Sequence, residues 1–199
     1  MKWKVATFTV NGIRARLTGV IEWIQKNDPD VLCLQEIKCQ NKDFPRRAFE
    51  EMGYTATVRG QKSFNGVAIL SRRPPLESLE VFDDRGSDSE ARFLSVLVDG
   101  VWVVNTYVPQ GRAVEDPAFQ YKLKFFESIK SWLQSRFSPA DPVIWLGDMN
   151  VAPTSLDVFD PNRYEGGVGA HPLERQALRD IVSWGLTDLF RMHHPLPHL

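Results

Sequence analysis

At 199 residues the chain is long enough for one sizeable core and short for two. Hydrophobic residues make up 43% and charged ones 25%, ordinary for a globular protein, and no apolar run reaches the roughly 18 residues of a membrane span. The net charge of −1 gives no global pull toward a polyanion, so any nucleic-acid surface has to be a local patch.

The N-terminus MKWKVATFTVNG shows no secretory signal, and Cys33 and Cys39 fit reduced thiols of a cytoplasmic protein better than a disulfide scaffold. Residues 4–10 alternate apolar and polar and predict a half-buried strand, turned by Asn11-Gly12. Leu17, Val20, Ile21 and Ile24 repeat at helical spacing over 17–27, and Asn27-Asp28-Pro29 closes that helix. The apolar run 31–35 reads as a buried strand ending at Glu36. A short helix over 44–52 stops at Gly53, and strands follow at 54–59, 67–71, 76–82 and 92–98, the last two separated by the polar loop DDRGSDSE. The tract 101–108 alternates with Asn105 and Tyr107 on one face. Phe119, Leu123, Phe126, Ile129 and Leu133 stripe a helix over 116–136. The strand 143–147 leads into an irregular stretch to Gly169, and a helix over 172–184 opens on Pro172. The ending LFRMHHPLPHL lacks a closing strand or helix and reads as a chain interrupted partway. No linker divides 1–199 into separate domains.

Chemistry concentrates at strand ends. Asp148 and Asn150 leave the apolar strand VIWL two residues apart, so extended backbone would project them to one side, although GDMN also reads as a plain turn. Gly147 permits a sharp exit or a close approach by a ligand. Glu36 continues the row of Leu32 and Leu34 toward the core and needs a partner there, either a cation such as Lys38 or a metal ion. Tyr107 and Asn11 are ambiguous between packing or turn roles and phosphate or metal contacts. The histidines His171, His193, His194 and His198 sit in no metal or catalytic pattern, and no nucleophile-elbow motif occurs.

Together TVNGIRAR, LQEIK, FNGVAILS, NTYVPQG, GDMNVAPTSLD and ERQALRDIVSWGLTDLFR resemble the exonuclease III family of apurinic/apyrimidinic endonucleases, within the endonuclease/exonuclease/phosphatase superfamily. The resemblance implies a four-layer α/β sandwich, two face-to-face mixed β-sheets flanked by helices, here incomplete at the C-terminus. It implies a Mg²⁺-dependent phosphodiesterase, with Mn²⁺ as the alternative metal, acting 5′ to abasic sites in double-stranded DNA and at 3′ ends, as a monomer. By the same resemblance Glu36 and Asn11 ligate metal, Asp148 activates water and touches metal, and Asn150 holds the scissile phosphate and also lies at the metal. Tyr107 contacts the phosphate, while Arg14, Arg16, Phe64, Asn65 and Gln110 face DNA. Two departures stand out: Thr9 replaces an asparagine usual in the family, and the family's closing tryptophan-arginine-x-aspartate and serine-aspartate-histidine segments have no counterpart. Weak activity and poor stability are the expectation that follows. The competing readings are a non-catalytic DNA-binding remnant and a relative hydrolysing another phosphoester; Gln110, Arg14 and the ERQ segment favour the nuclease over the latter.

Overall fold

A computed structural model describes residues 2–81 and 90–195, which fall into two compact units. The loop DDRGSDSE and His198 lie largely or wholly outside the described residues. The first unit holds Met1–Tyr107 with Pro142–Met149 and contains both sheets. One sheet has the order β1 (Val5–Thr9), β2 (Val31–Gln35), β4 (Val67–Ser71), β3 (Thr55–Arg59). The other runs β5 (Glu77–Leu79), β6 (Phe93–Val98), β7 (Val101–Tyr107), β8 (Val143–Asp148). Each sheet is mixed, with a single parallel pair at one edge: β1 on β2 and β7 on β8.

The sheets face each other through Val31, Cys33, Val67 and Ile69 on one side and Leu94, Val96, Val98 and Val103 on the other. The alternate residues Leu32, Leu34, Ala68 and Leu70 point outward and are covered by α1 (Ile13–Asn27) and α2 (Arg46–Glu50), through Ile13, Val20, Ile24 and Phe49. β2 and β4 are therefore buried on both faces, which is why their sequences are apolar runs without alternation. α1 starts four residues before the helix read from periodicity, because Ile13 already packs into this core. The strand VIWL was expected to be buried; as the edge of its sheet, β8 is only half-buried throughout. Phe8, on the opposite sheet's edge strand β1, is 51% exposed.

The second unit holds Val108–Asp141 and Asn150–Leu199. Its frame is α3 (Pro117–Arg136) packed on α5 (Pro172–Val182). α3 opens with Asp116 as N-cap, its carboxylate accepting from Ala118 N at 2.8 Å. His171 caps α5 through Nδ1, which accepts from Leu173 N, so this histidine has a structural task. The stretch read as irregular contains a Thr154–Asp157 capping box and the short α4 (Pro161–Tyr164). The ending, read as lacking a closing strand or helix, forms the short α6 (Leu189–His193), capped by Asp188, with Arg191 paired to Asp157.

Candidate active site

In the first unit both parallel pairs end at the same place. Register sets Thr9 beside Gln35 and Tyr107 beside Asp148. A hydrogen bond from the Thr9 hydroxyl to Asp148 Oδ2 at 3.3 Å joins the two pairs across the sandwich. The chain brings Asp148 there through Gly147, whose φ of +134° and closeness to the neighbouring strand admit no side chain: a Cβ would lie 2.0 Å from Thr106 O. The close approach that this glycine permits in the structure is to the backbone of the neighbouring strand.

Beneath the strand ends lies a buried polar network. Asn105, fully buried, donates both Nδ2 hydrogens, to Leu34 O and Ala68 O at 3.0 Å each, and its Oδ1 accepts from Gln35 Nε2 at 2.7 Å. Gln35 Nε2 also donates to Thr7 Oγ1 at 2.9 Å, while Gln35 Oε1 lies 3.2 Å from Thr7 Oγ1 and 3.3 Å from Thr9 Oγ1. The single Thr9 hydrogen is thus shared between Gln35 and Asp148.

Glu36 does not continue the row of Leu32 and Leu34. Its φ of +53° turns it out of the strand, and Asn11 and Lys38 are left-handed as well. Left-handed backbone costs a non-glycine residue about 1–2 kcal/mol, and such residues cluster where surrounding structure enforces a functional geometry. The Glu36 carboxylate lies close enough to Tyr107 to act on its hydroxyl. Tyr107 is pushed up to about 12, first by burial, then by the Glu36 charge and hydrogen bond, with Asp148 adding and Arg92 opposing. It therefore stays a protonated donor at neutral pH, within reach of both carboxylates' fields.

Of the two partners open to Glu36, the structure shows the ammonium: Lys38 Nζ lies 2.8 Å from Glu36 Oε2 and also donates to Asn11 Oδ1. The Glu36–Asn11 pair thus already accommodates a cation. The Lys38 main-chain N–H donates to Asn65 O at 3.0 Å and that of Ile37 to Gly66 O at 3.1 Å, fastening the Phe64 loop to this segment. Phe64 is 69% exposed, but Asn65 is buried with its amide donating to Gln61 Oε1, so the two do not share a surface. Arg14 and Arg16 also diverge: two residues apart on a helix they point about 160° apart. Arg14 is near enough to Cys39 to offset part of the upward push that burial gives this thiol. Arg16 lines an apolar cavity of about 460 Å³ with Phe8 and Trp23.

Arg92 was missed by sequence reasoning. Its main-chain carbonyl accepts from Tyr107 N at 2.8 Å, its guanidinium Nη1 donates to Tyr107 O at 3.3 Å, and the guanidinium carbon lies 4.7 Å from the ring centre. Only the β6–β7 register places it there. Gln35 and Asn105 did carry a signal, as amides inside otherwise apolar strands.

Asn150 and Gln110 belong to the second unit. Asn150 has a φ of +49°, so the extended-backbone argument for a shared side with Asp148 does not apply. Its Nδ2 donates to Val108 O at 2.8 Å. Gln110 is exposed, and its Oε1 accepts from Arg112 N at 2.8 Å.

The model of the Endonuclease/Exonuclease/phosphatase family matches residues 6–193. Exodeoxyribonuclease III of Haemophilus influenzae is 32% identical, over 96% of this chain and 76% of its own length. A DNA-(apurinic or apyrimidinic site) endonuclease of Dictyostelium discoideum is 28% identical, over 96% of this chain and 54% of its own. Among solved structures, an AP endonuclease from Archaeoglobus fulgidus superposes with a TM-score of 0.94 at 40% identity, covering 98% of this chain and 75% of that one. A 3′ phosphatase from Neisseria bound to product DNA hairpin gives 0.93 at 33%, covering 98% and 76%. The chain thus spans between about half and three quarters of the length of these relatives. With them it shares an α/β fold of two mixed sheets flanked by helices.

Proposed function

The chain belongs to the Endonuclease/Exonuclease/phosphatase family, where its relatives are DNA-repair nucleases; on that premise we propose that it hydrolyses DNA phosphodiesters 5′ to abasic sites and at 3′ ends. The reading includes a single catalytic domain, a monomer and a cytoplasmic location. The observation that carries it is the meeting of Glu36, Tyr107 and Asp148 at the ends of two parallel strand pairs.

The donor set fits a hard divalent ion. Among the described residues no group of three or more His, Cys, Asp and Glu forms a closed metal cage. Mg²⁺ needs no such cage, since it keeps waters and takes one or two carboxylates with substrate phosphate. Glu36 and Asn11 would hold the ion, whose contribution when bound is to neutralise charge building up on the phosphoryl and leaving oxygens; Mn²⁺ suits the same oxygens.

The chain's own groups supply the rest. Asp148, fixed by Thr9, accepts the proton of the attacking water as its oxygen bonds phosphorus and the bond to the 3′ oxygen breaks. Tyr107 donates its hydroxyl to a phosphate oxygen, and Asn150 takes the phosphate-holding role that family resemblance gives it. Phe64, Arg14 and the exposed Gln110 are assigned to the DNA.

The test is incision of an abasic-site duplex by the purified chain with Mg²⁺, beside duplexes ending in a 3′ hydroxyl or a 3′ phosphate. Incision that EDTA abolishes and that falls at least about 100-fold in Glu36→Gln and Asp148→Asn is expected. DNA binding without cleavage by the unaltered chain would point instead to a non-catalytic remnant. Cleavage indifferent to both substitutions would place the chemistry elsewhere.

A further inference from the structure

In the second unit an ion pair is sealed from solvent: Lys122 on α3 and Glu174 on α5 are both fully buried and bonded to each other. A buried pair contributes little net stability over apolar residues of similar volume, so its presence calls for another reason. The remaining contacts of the two side chains supply one. Lys122 Nζ donates to the main-chain carbonyl of Asn150 at 2.7 Å and to that of Gln110 at 3.2 Å. Glu174 accepts from Gly169 N at 2.9 and 3.2 Å, and Gly169 O in turn accepts from Ala152 N at 2.7 Å. Asn150 is left-handed, and its side-chain amide is tied to Val108 O. The ammonium thus grips the backbone of two segments, each holding a residue that the nuclease reading assigns to DNA.

The geometry points to Lys122 as a positioning residue of the nuclease, aligned by Glu174, which fixes the left-handed turn at Asn150 and the start of the Gln110 loop. The inference rests on the nuclease reading for the consequence in rate, and on the structure alone for the hold on Asn150. An ammonium suits the task because it carries three donors on one atom, and here it donates to the carboxylate and to both carbonyls. Methionine matches its length with no donor.

The test compares the full chain with Lys122→Met and with the double variant Lys122→Met/Glu174→Met. The single variant leaves a buried carboxylate without its cation and is expected to melt many degrees lower or fail to fold. The double variant removes both charges, so its melting temperature is expected within a few degrees of the unaltered chain. If the pair positions Asn150, the double variant nonetheless loses about 100-fold in kcat on the abasic duplex with KM within about threefold, the scale of an ångström-level misplacement. Its Asn150 side-chain amide, assigned by its absence in Asn150→Asp, exchanges with solvent at least about tenfold faster by NMR. A purely structural pair predicts recovery of both kcat and melting temperature in the double variant, and that result overturns the inference. Should the unaltered chain cut no DNA, the nuclease reading fails, and amide exchange alone decides: unchanged exchange at Asn150 overturns the inference, faster exchange supports it.

Discussion

Replacing Asn105 with leucine should loosen the strand ends from below. Asn105 is buried completely and uses three hydrogen bonds, to Leu34 O, Ala68 O and Gln35 Nε2, at 2.7 to 3.0 Å. At about 1 kcal/mol net for each, the loss is about 3 kcal/mol, of which the added apolar burial returns up to about 1 kcal/mol. A net cost of about 2–3 kcal/mol lowers the melting temperature by about 5–10 °C in a chain of this size. Asn105→Asp keeps the shape and the acceptor but sets a carboxylate against two carbonyls. Burial raises that carboxyl's pKa, so its penalty is small below the unfolded value of about 4 and grows as pH rises through the folded value. Urea denaturation at pH 4 and pH 7 measures both effects. Asn105→Asp should be the less stable variant at pH 7, with the gap narrowing at pH 4. A leucine variant within about 0.5 kcal/mol of the parent would refute the reasoning, since a surface-like cost means the network carries no net stability.

Three further outcomes are expected. Lys38→Met removes the ammonium held by Glu36 and Asn11; a partly exposed pair of this kind contributes up to about 1 kcal/mol, so Mn²⁺ binding followed by EPR should tighten by about fivefold or less. Gly147→Ala forces a Cβ onto Thr106 O and should cost at least about 3 kcal/mol or prevent folding, as read by urea denaturation or soluble yield. Tyr54, whose hydroxyl donates to Pro29 O at 2.5 Å, has its pKa raised mainly by burial, Asp28 and Asp30 adding while Arg72 opposes. Its stabilising share is therefore full below the unfolded value of about 10 and is lost as pH rises through the folded one. Tyr54→Phe should cost about 1 kcal/mol at pH 8 and flatten the alkaline decline above about pH 10 in a denaturation series.

Much of the fold was legible because hydrophobic period and turn residues are local properties. The apolar runs of β2 and β8, the stripe on α3 and the Pro172 start of α5 each announce an element by composition alone. The strand-end location of Glu36, Tyr107 and Asp148 followed from the same logic, and motif order pointed to the family. Sequence could not say that β8 would be an edge strand, since burial depends on what packs beside a strand rather than on its own residues. Nor could it give the left-handed turns at Glu36 and Asn150, which break the extended backbone that alternation assumes. The pairing of Glu36 with Lys38, the Arg92–Tyr107 contact and the sealed Lys122–Glu174 bond all join groups whose partners are fixed by register and packing. A chain's own pattern determines which elements form and which residues carry chemistry; the neighbours that set a carboxylate's direction or a tyrosine's proton exist only after distant segments have come together.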